Sequence, residues 1–288
     1  MPEITVFPPQ LWIIYAVSLV CCFMGFFRFV WFMSVGYGLS AAGIGAAMLV
    51  MSILGGRFNI VFAIQCILFI IYGFRLGGFL LIRELKNTRY REKMREVGGD
   101  AKVPAFVAFF MWIVCGALYV LQSSGPMYRM LNGAQNNVTL YIGIVVSAVG
   151  IIIETVADKQ KGEAKEKNPD MPAMHGLYKM CRCPNYFGEI LFWTGAFISA
   201  FGAVEGAQWI LVVLGYVEII CVMLSGAKRV ETRHIRHYGK LPKYNAYADS
   251  TPLLLPLIPF YHITTPEKIA KEDAAKAAKA AKKNGKQG

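Results

Sequence analysis

The sequence predicts an all-α, polytopic membrane protein with about seven transmembrane helices and a C-terminal cytosolic region, and three observations carry that prediction. Hydrophobic residues make up 56% of the chain against 17% charged, with a mean hydropathy of +0.44, a balance that a soluble globule cannot cover with polar surface. The apolar residues come in blocks about as long as a bilayer crossing, which takes roughly 20 helical residues. Positive charge gathers between the blocks: Arg83–Lys102, Lys159–Arg182 and the chain from Lys228 onward hold 26 of the 30 Lys and Arg.

Taken in order, the first block, Leu11 to Met33, has no Lys or Arg ahead of it, so it lacks the basic region of a secretory signal and reads as a retained helix. Gly38 to Leu54 is short and rich in Gly and Ala, which suits close helix packing better than lipid contact. Asn59 to Ile82 follows, with Arg75 near its end, where it either snorkels to the headgroups or faces protein. Pro104 to Leu121 is the fourth block. Thr139 to Ala157 is the fifth, and Glu154 and Asp158 at its end form an i, i+4 pair on one face. That pair is either a solvated helix end beside Lys159 and Lys161 or part of a polar site. Tyr186 to Phe201 and Ala207 to Ser225 complete the seven, the last enclosing Glu218.

With seven spans the three basic segments share a side, and the positive-inside rule makes it cytoplasmic, leaving the N-terminus outside. A bacterial inner membrane and an endoplasmic reticulum membrane both satisfy that bias. The opposite side carries only Arg57 and Arg129, with a glycosylation sequon at Asn137-Val138-Thr139. Residues 1–266 read as one integral membrane domain, and 267–288 as a basic Ala/Lys tail without an apolar face, hence disordered. Five cysteines fall in apolar blocks, while Cys181 and Cys183 form a C-x-C in a basic loop. The odd count argues against a disulfide framework, and the lack of a second ligand pair argues against a zinc site.

The net charge of +12 follows from the juxtamembrane loops, and without any nucleic-acid motif around them nucleic acid is excluded as a partner. No half-length repeat of the kind transporters carry is present. The cytosolic segments do concentrate side chains able to hold a nucleotide: Asp158, Tyr178, Arg182, Asn185, Glu231, Arg233, His234, Tyr238, Lys243, Tyr244 and Tyr247. Guanidinium and ammonium groups meet phosphates, while Asn, Asp and Tyr fix ribose and amide groups. Neither G-x-G-x-x-G nor a P-loop occurs, so such a site must be built from loops and helix ends. Glu189 begins the sixth block one turn after Asn185 and is either an interfacial glutamate or an acid facing a ligand.

The stretch His175-Gly-Leu-Tyr-Lys-Met-Cys-Arg-Cys-Pro-Asn-Tyr-Phe-Gly-Glu-Ile190 resembles the C-terminal signature of the steroid 5-alpha-reductase superfamily, G-L-[FWY] followed after six residues by N-[YF]-x-G-E. Glu231 to Pro256, with Tyr247 nine residues before Pro256, is similar to that family's closing region, and Gly73-Phe74-Arg75-Leu76 to its less characterised bacterial branch. The likeness is strong over residues 154–260. It implies NADPH as cofactor, a lipophilic enone of steroid, sterol or isoprenoid kind as substrate, membrane lipids as surroundings, and hydride transfer to the β-carbon. By the same resemblance Asn185 binds the nicotinamide end, Asp158 a cofactor hydroxyl, and Tyr178, Arg182, Arg233, His234, Tyr238 and Tyr247 line the rest. Glu189 stands closest to the reacting ring, and Tyr72 is the candidate for the substrate carbonyl. The family's steroid enzymes place a Glu in the second span, and this chain has no acid there. The loop is also similar to that of isoprenylcysteine carboxyl methyltransferases, which bind S-adenosylmethionine, but Cys183-Pro184-Asn185-Tyr186 stands where that family shows His-Pro. A non-catalytic membrane scaffold of the same fold is the third reading.

Overall fold

The computed structural model describes residues 5–86 and 103–284, and every regular element among them is helical. The helices are α1 (Pro9–Cys22), α2 (Val35–Leu54), α3 (Ile60–Lys86), α4 (Ala105–Gln122), α5 (Ser124–Leu131), α6 (Val138–Lys167), α7 (Pro184–Ile198), α8 (Gln208–Tyr238), α9 (Pro242–Ser250) and α10 (Pro266–Asn284). Short 3-10 helices cover Phe23–Phe26, Phe29–Met33 and Gly176–Lys179. Part of the first basic segment, residues 87–102, lies outside the described residues.

Six stretches are long and apolar enough to cross a membrane: Pro9–Phe26, Val35–Leu54, Ile60–Ile82, Ala105–Gln122, Val138–Lys167 and Gln208–Tyr238. The chain is a polytopic membrane protein. The expected sixth span, Tyr186 to Phe201, corresponds to α7, whose 15 residues extend only about 22 Å, short of a hydrocarbon core of about 30 Å. Apolar residues continue to Phe201, but the helix stops at Ile198 and tight turns take over. The first block is likewise not one helix through Met33. Arg28 is extended, its guanidinium 5.7 Å above the Trp31 ring, and the chain turns there so that Phe32 is buried and its carbonyl accepts from the Tyr119 hydroxyl at 2.6 Å.

Two compact units make up the chain. Unit 1, Met1–Val149 with Leu191–Ile219, is built on the close approach of α2 and α3. A Cβ on Gly38 would lie 2.5 Å from the Gly77 nitrogen, and one on Gly73 would lie 2.3 Å from the Gly38 oxygen, so only small residues let these backbones meet. That is the packing the Gly/Ala-rich second block predicts, and half of α2 is buried, as is half of α3. Glu218, enclosed by the last apolar block, accepts from Gln122 Nε2 at 2.5 Å. Asn137 of the sequon caps α6: its Oδ1 accepts from the Leu140 amide (3.0 Å), Thr139 Oγ1 (2.9 Å) and Arg129 Nη2 (2.6 Å).

Unit 2 is Gly150–Ile190 with Ile220–Gly288. Its C-terminal tail, expected to be disordered, is helical to Asn284. Thr265 Oγ1 accepts from the Lys268 amide at 3.3 Å, and Ile269 is buried. Ion pairs Lys228–Glu272 (3.1 Å) and Arg236–Asp273 (2.6 Å) tie the first turns to α8. Charge pairing along α8 replaces the apolar face that the tail lacks.

Candidate functional site

Most of the predicted cofactor residues fall in unit 2, where α6 and α7 touch through backbone. A Cβ on Gly188 would lie 2.7 Å from both the Gly150 oxygen and the Glu154 nitrogen, so glycine is required at this crossing. The crossing buries two carboxyl groups, Glu154 at 3% exposure and Glu189 at 6%. Asn185 stands one turn before Glu189 in the first turn of α7, which Pro184 opens with a pre-set φ. Its side chain is half-buried and has no hydrogen-bond partner among the described residues.

The 176–179 turn is held on α6. The Leu177 amide donates to Gln160 Oε1 at 2.9 Å, and the Tyr178 hydroxyl donates to the Ala157 carbonyl at 3.3 Å. Tyr247 closes the other side, its hydroxyl donating to the Tyr178 carbonyl at 2.6 Å. Burial first, and the Asp158 carboxylate second, hold the Tyr178 phenol well above its ordinary range, so it stays a neutral donor. Tyr238 is buried, accepting from Lys165 Nζ at 2.5 Å, and that ammonium lies 5.1 Å above its ring. The rings of His234 and Tyr244 lie 5.5 and 5.8 Å from that of Tyr238.

Arg182 and Glu231 form a buried ion pair at 2.8 Å, with side chains 3% and 0% exposed. The Arg182 amide donates to the Pro252 carbonyl (2.8 Å), Nε to the Thr251 carbonyl (3.2 Å), and Nη2 also to the Tyr261 carbonyl. Glu231 Oε2 accepts from the Ile263 and Thr264 amides at 2.8 and 3.0 Å. Its Oε1 meets both Arg182 and His262 Nδ1 (3.1 Å), and His262 Nε2 lies 3.0 Å from Asp249 Oδ1. Every acceptor direction of the carboxylate is filled. The network ties the 181–183 loop to α8 and to the segment after α9.

The C-x-C thiols are inside this knot rather than exposed on a loop: Cys181 and Cys183 are buried. Burial pushes Cys181 up to about 12 and Cys183 up to about 11, the latter held back by Lys161, Arg182 and Arg233. The Glu231 carboxylate acts on Cys183 in the opposite sense. Arg233 is exposed and makes no ion pair among the described residues.

Tyr72 belongs to unit 1, fully buried and stacked on Phe192 with ring centroids 3.9 Å apart. Its hydroxyl is 2.9 Å from that of Tyr37, which accepts from Trp193 Nε1 at 2.6 Å. Tyr37 and Trp193 are absent from the sequence-based candidates. Tyr37 immediately precedes the expected start of the second span at Gly38, and an aromatic hydroxyl abutting a run of Gly and Ala was the available signal. A phenol thus stands at the head of the helix that lacks an acid.

Residues 25–251 match the family described as "Protein of unknown function (DUF1295)". No curated protein and no solved structure matches the chain.

Proposed function

We propose that this chain, which belongs to the DUF1295 family, uses NADPH to reduce the activated C=C bond of a lipophilic enone of steroid, sterol or isoprenoid kind. The observation that carries the reading is Asn185: a half-buried amide without a partner among the described residues, one turn from a buried glutamate and two residues from Cys183, on which the charges of Lys161, Arg182 and Arg233 act. A dinucleotide phosphate suits that set, because its charge needs cations and its carboxamide needs a donor and an acceptor together. The likeness of residues 175–190 to the steroid 5-alpha-reductase superfamily supports the same assignment.

NADPH would supply the hydride for the β-carbon. In this reading the Asn185 amide pairs with the nicotinamide carboxamide, Asp158 takes a cofactor hydroxyl, and Lys161 and Arg233 meet phosphates. Tyr178, Tyr247, His234 and Tyr238 form the wall that excludes water. Arg182 acts through its buried pair with Glu231, holding the loop that presents Asn185. Glu189 holds a proton and passes it to the reduced substrate. This reading takes the basic segments to face the cytosol, where NADPH is supplied.

The test is NADPH consumption by the protein in lipid nanodiscs against a panel of enone lipids, followed optically. Enone-dependent oxidation abolished by Glu189→Gln supports the reading. Tight NADPH binding without turnover on any enone would favour a scaffold instead.

A further inference from the structure

Unit 1 contains a cavity of about 300 Å³ that the reductase reading leaves unused. It opens where α2 ends, α3 begins and α5 turns into α6, and its lining includes Arg57, Arg129, Phe58, Phe62, Met130 and Leu140. No Asp or Glu lines it.

Arg129 is the unusual member. It is 2% exposed, and its guanidinium donates to the carbonyls of Ser199 (2.8 Å), Gln135 (2.9 Å) and Phe201 (3.4 Å) and to Asn137 Oδ1 (2.6 Å). All four partners are neutral, so the hydrogen bonds are satisfied while the charge is not neutralised among the described residues. Arg57 is the second cation. Its Nη1 donates to the carbonyls of Met130 (3.5 Å) and Leu131, which fixes the side chain, while Nε and Nη2 have no partner among the described residues. That leaves one edge of the guanidinium presented as a two-donor fork, the geometry that matches a phosphate or carboxylate.

The helix ends nearby do not compete for such an anion. Asn59 Oδ1 already accepts from the Val61 and Phe62 amides at 2.9 and 3.3 Å, and Asn137 caps α6. The surroundings decide between a free anion and a lipid. Phe58, which lines the cavity, and Leu54 and Ile60, close in sequence to lining residues Gly56 to Asn59, are exposed apolar side chains, and the cavity sits at the ends of three candidate spans, which is headgroup depth. Two cations without an acid, an apolar wall and that depth describe a receptor for an anionic amphiphile.

We propose that this cavity binds the phosphate of an anionic phospholipid, held on the Nε–Nη2 edge of Arg57 in the field of Arg129, with the acyl chains leaving past Phe58 and Ile60. The site is independent of the reductase reading. It is tested by native mass spectrometry of the full chain in detergent, titrated separately with phosphatidylglycerol, phosphatidylcholine and inorganic phosphate. Phosphatidylglycerol should be retained in preference to phosphatidylcholine, and Arg57→Glu should lower that retention by about tenfold or more, the scale of one charge-assisted hydrogen bond, without changing the melting temperature. Arg57→Gln is the second variant, with the same readout, should the charge reversal fail to fold. Equal retention of the two lipids, or unchanged retention in either folded variant, would overturn the proposal. Binding of inorganic phosphate with no lipid retained would overturn the lipid source.

Discussion

Glu231→Gln should be among the most damaging isosteric changes in this protein. The substitution keeps shape and removes charge, leaving the Arg182 guanidinium, 3% exposed, without its counter-ion. Breaking a buried pair by removing one partner costs about 3–5 kcal/mol. The hydrogen-bond geometry points the same way. Glu231 accepts from the Arg182 side chain and from the Ile263 and Thr264 amides, with His262 at the same oxygen as Arg182. A glutamine keeps one acceptor oxygen, so in either flip its NH2 faces donors, each orphaned one costing about 1–3 kcal/mol. These losses overlap, and the pair value is the better measure. At about 2–4 °C per kcal/mol for a chain of this order of size, melting in nanodiscs should fall by roughly 6–20 °C. Lys228→Ala is the control, since its pair with Glu272 is half exposed and worth at most about 1 kcal/mol. The segment from Asp249 to Thr264 should also become accessible to protease in Glu231→Gln. A melting temperature within the scatter of the Lys228→Ala control would refute the assignment of this network as the clamp of unit 2.

Asn185→Ala should weaken NADPH binding by about 1–3 kcal/mol, the value of an amide left without its partner, read by calorimetry, and unchanged affinity removes that assignment. Glu189→Gln should lower turnover far more than cofactor affinity, and an equal loss of both would make it a binding or packing residue. Gly188→Val should disrupt folding, because even its Cβ meets backbone atoms at 2.7 Å, whereas Gly162→Ala, with nothing within 4 Å, should melt like the parent. Burial raises Cys181 and Cys183 to about 12 and about 11, while an unfolded thiol ionises near about 8.5. Their contribution is therefore complete below about pH 8.5 and is lost as pH rises toward those folded values. The melting temperature should fall on going from neutral to alkaline pH with a steeper slope in the parent than in the Cys181→Ala/Cys183→Ala double variant, and equal slopes would contradict the burial of the thiols.

The helical, membrane-spanning character was legible in the sequence because hydropathy over a span-length window is a local property, and the Gly/Ala run of α2 announced its close packing with α3. The break at Arg28 was not, since it depends on where Phe32 and the distant Tyr119 come together in unit 1. Nor was the length of α7, whose apolar composition continues through turns that end the helix. The helix over the tail was not legible for a related reason: composition shows no apolar face on 267–288, but Glu272 and Asp273 find cations on α8. Within the candidate site, the residue types near Asn185 and Glu189 were legible from their spacing. Arg182 and Glu231 were both recognised as polar residues of the right kind, yet only the fold reveals that they answer each other across 49 residues. Tyr37 was not legible, because its place is set by Tyr72 and Trp193, which lie 35 and 156 residues away in the chain.

A nucleotide site around Asn185 can be measured by calorimetry on the detergent-purified chain with NADPH, NADH and S-adenosylmethionine at one ionic strength. NADPH should bind in the micromolar range, NADH more weakly and S-adenosylmethionine not at all. Binding of S-adenosylmethionine alone would contradict the NADPH reading, place the chain with the methyltransferases, and withdraw the roles given to Asn185 and Glu189.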